Sequence, residues 1–246
     1  MKLTVVGLGP GAGADLTLRA RAALEACGLI VGYSAYVELV RADFPEKEYL
    51  STGMRREEDR CRAAVEAAVA GKNVAVVCSG DSGVYGMAGL IYEVAQDYPP
   101  VEIEVLPGVT AACGGAALLG APLTHDFAVV SLSDLMTPWE KIEARLTLAA
   151  RADFVICLYN PASRHRPDYL RRACDILLRE KDGATVCGCM EKNSVVSGTS
   201  SSLPKISYAP RNIPSSFSIN PNGFFCISSA ENRSLAAPNI CIVISI

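Results

Sequence analysis

The sequence has little of what would announce a metal centre, a membrane or a polyanionic partner. Only two of its 246 residues are histidine, and its ten cysteines, at 27, 61, 78, 113, 157, 174, 187, 189, 226 and 241, include no C-x-x-C pair. Cys187 and Cys189 alone stand close, and C-x-C without a second pair or a histidine partner does not make a zinc site, so no metal is expected. Several other cysteines lie in apolar runs, where a thiol packs as a small hydrophobe. The formal net charge is −3, which leaves neither a nucleic-acid footprint nor an acidic tail. No apolar run approaches the roughly 20 residues that span a bilayer. The strand-like Leu3 to Val6 breaks into glycines rather than a signal-peptide core. A cytoplasmic location is the expectation.

What is present reads as a globular α/β protein. Half of the residues are hydrophobic and 20% are charged. The length suits one large or two medium domains, because single cores stop growing near roughly 250 to 300 residues. Apolar runs at Leu3 to Val6, Val74 to Cys78 and Phe154 to Leu158 each lead into a loop of small or polar residues, the pattern of buried strands alternating with helices. Helical spacing covers Asp15 to Ala26 and Glu57 to Ala70, with Gly71 as the C-terminal stop. Pro107 to Leu119 opens with a turn signal and continues as a helix of small residues, which implies close packing. Gly120, Ala121 and Pro122 interrupt it before the next strand, Phe127 to Leu132, and place a domain boundary near residue 122.

After about residue 189 the composition shifts. Asn occurs twice in residues 1 to 189 and six times in the last 57, while Ser rises from seven to 13. The segment from Met190 to about Asn222 is expected to hold little structure, and the apolar Ile240 to Ile246 to form an edge strand. Residues 190 to 246 thus read as an atypical tail, poorly ordered or translated from a shifted frame.

The glycine turn Gly7-Leu-Gly-Pro-Gly-Ala-Gly13 follows the first strand with G-x-G-x-x-A spacing. A nicotinamide site would also want an acidic residue at the end of strand two, where Leu29 to Val31 instead meets Gly32 and Tyr33. Pro10 removes an N–H from the would-be phosphate cradle. A plain tight turn explains the glycines as well, and an NAD(P)-dependent oxidoreductase stays only as a third choice.

Beside two other loops the turn becomes more specific. Gly7-Leu-Gly-Pro-Gly11, Ser79-Gly-Asp-Ser-Gly-Val-Tyr-Gly-Met-Ala88 and Pro107-Gly-Val-Thr-Ala-Ala112 resemble, in order and spacing, the signatures of the tetrapyrrole methylase family. Thr52-Gly-Met54, Ser131 to Trp139 and Leu158-Tyr-Asn-Pro161 resemble the branch that methylates precorrin-3B, or its cobalt form, at carbon 17 with ring contraction on the way to cobalamin. The match runs from residue 1 to about 188; the family's last strands are not recognisable beyond it.

The resemblance implies a two-domain α/β architecture, with a mostly parallel N-terminal sheet over 1–122, a smaller mixed-sheet C-terminal domain recognisable over 123–189, and an active-site cleft between them. It implies a homodimer, S-adenosylmethionine as cofactor and a tetrapyrrole as substrate. The cofactor is expected against Gly80, Asp81, Ser82, Gly83, Val84 and Tyr85, against Thr110 and Ala111, and against Leu132, Leu158, Tyr159 and Asn160. Asp81 and Thr110 could equally serve as turn or helix caps. Gly9, Pro10 and Gly11 are expected to face substrate. A precorrin's carboxylates call for arginine forks, and Arg55, Arg56, Arg164 and Arg166 sit beside the motifs, although each alone could be a solvated charge and Arg55 and Arg56 could pair with Glu57 to Asp59. Ring contraction needs proton movement, for which Ser131 and Asp134 are candidates; His125 before a strand reads as structural. An incomplete C-terminal domain would leave a second reading, a tetrapyrrole- or cofactor-binding protein without turnover.

Overall fold

Five strands of the N-terminal half pair in parallel, in the order β3-β2-β4-β1-β5: β1 (Lys2–Gly7), β2 (Leu29–Tyr33), β3 (Glu48–Thr52), β4 (Val74–Cys78) and β5 (Glu102–Leu106). β4 is buried along its whole length and β1 from Leu3 to Gly7, as expected of parallel strands covered on both faces. On one face Leu3, Val5 and Val76 pack with Cys61, Ala64 and Val65 of α3 (Glu57–Val69) and Ile91 of α4 (Ala88–Ala95). On the other, Val6, Ile30 and Val77 pack with Ala20 and Leu24 of α1 (Leu18–Ala26) and Val37 and Val40 of α2 (Ser34–Arg41). The two faces alternate along β1 with the period of two that a strand dictates.

The structure, a computed structural model, describes residues 2–10, 13–118, 121–161, 163, 166–181, 185–191, 217–219, 225–227 and 240–245. Local chemistry explains where helices begin and end. Asp15 does not open the first helix: Gly13–Asp15 forms a 3₁₀ turn, and α1 starts at Leu18 because Thr17 Oγ1 accepts a hydrogen bond from Ala20 N at 3.1 Å. Past α3, Gly71 takes φ +103° while its N–H and that of Lys72 return to the carbonyls of Ala68 and Ala67. That is the left-handed stop the sequence implies.

The chain divides into two compact units, Met1–Gly114 and Gly115–Ile246, at a point inside α5 (Ala111–Leu118). The second unit carries β6 (Phe127–Ser131), α6 (Trp139–Arg151), β7 (Val155–Tyr159), α7 (Tyr169–Leu177), β8 (Val186–Glu191), β9 (Phe217–Ile219), β10 (Phe225–Ile227) and β11 (Ile240–Ser245). Their sheet is mixed, in the order β6-β7-β11-β8-β10-β9, with only β10 running against its neighbours. Val130, Ile156 and Leu158 pack with Ile142 and Leu146 of α6 and Ala173, Ile176 and Leu177 of α7.

Of the stretch from Met190 to about Asn222, Met190 and Glu191 at the end of β8 and Phe217–Ile219 as β9 are described, and the remainder lies outside the described residues. One expectation for the tail needs correction. The apolar run at 240 is not an edge: β11 pairs on one side with β7 and on the other with β8. Both neighbours run parallel to it, and parallel strands read as unbroken apolar runs such as Ile-Cys-Ile-Val-Ile. Among the described residues no helix is long and apolar enough to cross a membrane.

Candidate active site

Because β1 lies between β4 and β5, the three loops that leave the C-terminal ends of these strands are neighbours, and they carry the three glycine-containing motifs. Open α/β sheets hold ligands at this end. The loops are joined mainly by backbone. Gly9 and Gly80 form an isolated antiparallel bridge, Gly9 N donating to Gly80 O at 3.0 Å and Gly80 N to Gly9 O at 2.8 Å, with φ of +74° and +64°. A Cβ on Gly108 would strike the Gly80 carbonyl and sit 2.7 Å from the Gly7 carbonyl carbon; one on Gly7 would lie 2.5 Å from Gly108 N. Three backbones therefore touch where no side chain fits.

Asp81 completes this junction. Its Oδ1 accepts from Gly83 N at 2.7 Å and Val84 N at 3.2 Å, and its Oδ2 from Gly108 N at 3.0 Å. Both oxygens are thus engaged by peptide groups of two loops, so the carboxylate fixes the loops. Ser82 is fully buried, with Oγ donating to Leu106 O at 2.9 Å. What these loops present outward is Gly83, Val84 and Tyr85, the last with φ +52° and its ring half exposed, together with Pro10, Val109, Thr110 and Ala111. Gly9 is buried, and Gly11 lies outside the described residues. Beneath them Cys78, at the end of β4, is kept a neutral thiol because burial pushes it up to about 11.

The arginines of the first unit differ from one another. Arg56 Nε pairs with Asp59 Oδ2 at 2.7 Å, the surface pairing foreseen as its alternative. Arg55 is exposed, with φ +63°. No sequence pattern marks Arg60, which sits in a run of charges and is nonetheless 3% exposed.

In the second unit the loops after β6 and β7 are held by side chains. Leu132 N donates to Tyr159 O at 2.8 Å. Ser131 Oγ accepts from Ser133 N at 3.2 Å and from Asn160 Nδ2 at 3.0 Å, with Asn160 at φ +53°. Arg166 Nη1 donates to Leu132 O at 3.0 Å while its Nε stands 3.6 Å from Asp134 Oδ1. Tyr169 OH donates to Asp134 Oδ2 at 2.6 Å, and that bond, helped by the Arg166 and Arg172 charges, holds the Asp134 carboxyl below its ordinary range. Trp139 and Tyr169 meet edge to face at 4.6 Å, with the Arg172 guanidinium 3.9 Å from the Trp139 ring centre.

Ser131, Leu132, Asp134, Leu158, Tyr159, Asn160 and Arg166 thus form one cluster, with Leu132, Leu158 and Tyr159 buried. Arg164 lies outside the described residues. Tyr169 and Arg172 escaped notice in the sequence because α7 places them beside a loop some 35 positions earlier.

Residues 2–204 match the family of tetrapyrrole (corrin/porphyrin) methylases. A Salmonella typhimurium protein named as a probable cobalt-factor III C(17)-methyltransferase is 50% identical over 190 residues, which are 77% of this chain and 79% of the relative. The cobalt-factor III methyltransferase of Priestia megaterium is 47% identical over 195 residues, 77% of this chain but 36% of that longer protein. Among solved structures, the methyltransferase CobJ superposes with a TM-score of 0.71 at 42% identity, covering 75% of this chain and 78% of its own.

Proposed function

The chain belongs to the tetrapyrrole methylase family, and from that premise we propose that it methylates precorrin-3B, or its cobalt form, at carbon 17 with ring contraction, a step of cobalamin biosynthesis, using S-adenosylmethionine. The observation that carries the reading is the junction of three motif loops at the C-terminal end of one parallel sheet, locked by Gly7, Gly80, Gly108 and Asp81. A cytoplasmic homodimer belongs to the same proposal.

The residues present fit the cofactor. The outward stretch Gly83 to Tyr85 offers a half-exposed ring to a flat base, while Asp81 ties down the Gly83 and Val84 N–H groups and the neighbouring glycines are filled by backbone, so the rim is held still. When bound, S-adenosylmethionine would supply an electrophilic methyl group, the S–CH3 bonding pair staying on sulfur and carbon 17 supplying the pair for the new bond. The protein's share is orientation and exclusion of water. We assign Gly83, Val84, Tyr85, Thr110 and Ala111 of the first unit to the cofactor, with Gly80, Asp81 and Ser82 holding them in place; Leu132, Leu158, Tyr159 and Asn160 are the second unit's candidates for the same role.

Contraction of the ring moves protons at an oxygenated carbon. We assign that handling to Ser131, whose hydroxyl is oriented by Ser133 N and Asn160 Nδ2. Asp134, kept ionised by Tyr169, supplies a fixed negative charge and orients Arg166. Arg55, Arg56 and Arg166 are assigned to the substrate's carboxylates, and Gly9 and Pro10 to its border.

Incubation of the purified chain with methyl-labelled S-adenosylmethionine and precorrin-3B, or its cobalt form, tests the proposal. Label in a ring-contracted product is expected. Saturable binding of both ligands without product would establish the non-catalytic alternative instead, and binding of neither would overturn the reading.

A further inference from the structure

Arg60 is an anomaly. Arginine is almost never fully buried unless paired with an acid, because an uncompensated buried charge is costly. Arg60 is 3% exposed, and among the described residues it forms no ion pair. The acids nearest in sequence point elsewhere: Asp59 pairs with Arg56, and Glu58 with Arg62. Its fork is satisfied by uncharged acceptors instead. Nε donates to Thr52 Oγ1 at 2.8 Å, Nη2 to Gly53 O at 3.1 Å and Nη1 to Met87 Sδ at 3.2 Å, and the Tyr33 ring lies 5.9 Å away.

Those acceptors are not scattered. Thr52 ends β3 and Gly53 begins the turn that leads through Met54 and Arg55 into α3, while Met87 closes the loop that carries Asp81 and Tyr85. One buried guanidinium therefore joins the turn after β3 to the loop after β4. Ser34 adds a second tie, its Oγ donating to Thr52 O at 3.2 Å. Two positions beyond Gly53, Arg55 stands in the left-handed region at φ +63°, exposed, and its side chain makes no hydrogen bond or ion pair with another described residue. A residue with a Cβ holds that conformation only when its surroundings impose it.

We propose that Arg60 is a positioning residue for the tetrapyrrole: by gripping Thr52 and Gly53 it holds the turn in which Arg55 is kept left-handed, with its guanidinium presented to a carboxylate of the substrate. The proposal rests on the reading of Arg55 as a substrate contact given above. The planar fork matters as much as the charge, because a lysine in the same place reaches one acceptor at a time.

The test is steady-state kinetics with both substrates on three variants, accompanied by thermal unfolding. Arg60→Lys should raise KM for the tetrapyrrole about tenfold while kcat and KM for S-adenosylmethionine stay within about twofold. Arg55→Gly, which removes the guanidinium and the left-handed penalty together, should raise the same KM about tenfold with a thermal midpoint at or above that of the parent. The double variant should be no worse than Arg55→Gly alone, because both act through one contact. If Arg55→Gly raises the tetrapyrrole KM and Arg60→Lys does not, Arg60 is a structural brace only and the proposal falls while Arg55 keeps its role. If Arg55→Gly changes nothing, the substrate contact itself is wrong and the proposal falls with it. Should Arg60→Lys not fold, Thr52→Val removes one acceptor at constant shape and is expected to raise that KM about threefold; an unchanged value would overturn the proposal.

Discussion

The loop clusters of the two units do the same job with different materials. At the end of the first sheet, backbone rests on backbone, and the principal side chain involved, Asp81, bonds to peptide N–H groups. At the end of β6 and β7, the loops hang on side chains: Ser131 to Asn160, Arg166 to Leu132, Tyr169 to Asp134. A cluster made mainly of peptide groups admits almost no substitution. One made of hydroxyls, a guanidinium and a carboxylate can be changed piece by piece. Single substitutions should therefore break the first cluster and only loosen the second.

The largest effect is expected from Gly108→Ala. Its new methyl would meet the backbone of Gly80 and Gly7, which cannot swing aside as a flexible side chain would. A loss of about 3 kcal/mol in unfolding free energy is expected from denaturant titration, with methyl transfer falling below detection. A variant of parental stability would mean that the three loops do not touch as described.

Asp81→Asn comes next. The amide keeps the shape but loses the charge and turns one acceptor into a donor facing a donor, at Gly83 and Val84 or at Gly108. About 2 kcal/mol should be lost, and KM for S-adenosylmethionine should rise more than kcat falls. A change in kcat alone would make Asp81 a participant in the chemistry rather than the fastening between two loops.

The smallest effect belongs to Tyr169→Phe, about 1 kcal/mol at neutral pH because the pair is partly solvated. Its pH dependence is the sharper measurement. Asp134 is held below its ordinary range chiefly by the Tyr169 hydroxyl, so the stability it contributes is present above the unfolded value of about 4 and is lost as pH falls through the lower folded value. The difference between parent and variant should therefore be full at neutral pH and fade in acid. A difference independent of pH would show that the hydroxyl does not act through the Asp134 carboxylate.

Much of the fold was legible because buried parallel strands advertise themselves as short apolar runs, and the helix stop at Gly71 and the three motif loops were visible by composition. What the sequence could not carry was who meets whom. Gly108 bonds to Asp81 27 positions away because β5 lies two strands from β4 across β1, a fact of sheet order and not of local pattern. Thr17 set the start of α1 against a periodicity that began earlier. Arg60 stayed hidden because a charged run such as Arg-Arg-Glu-Glu-Asp-Arg-Cys-Arg reads as solvated, and only the helix phase that buries Cys61, Ala64 and Val65 turns it inward.

The position of β11 governs how the two units come into being on the ribosome. All strands of the first sheet lie within residues 2 to 106, so that unit can close its core while the rest is still being made. β7 and β8 have no direct pairing with each other and wait for residues 240–245 to come between them, Cys241 opposite Ile156 on one side and Cys187 on the other. Until then they carry open edges, the kind of surface that chaperones shield and that drives misassembly. Nascent chains stalled before residue 240 should therefore yield to protease in the second unit while the first already resists.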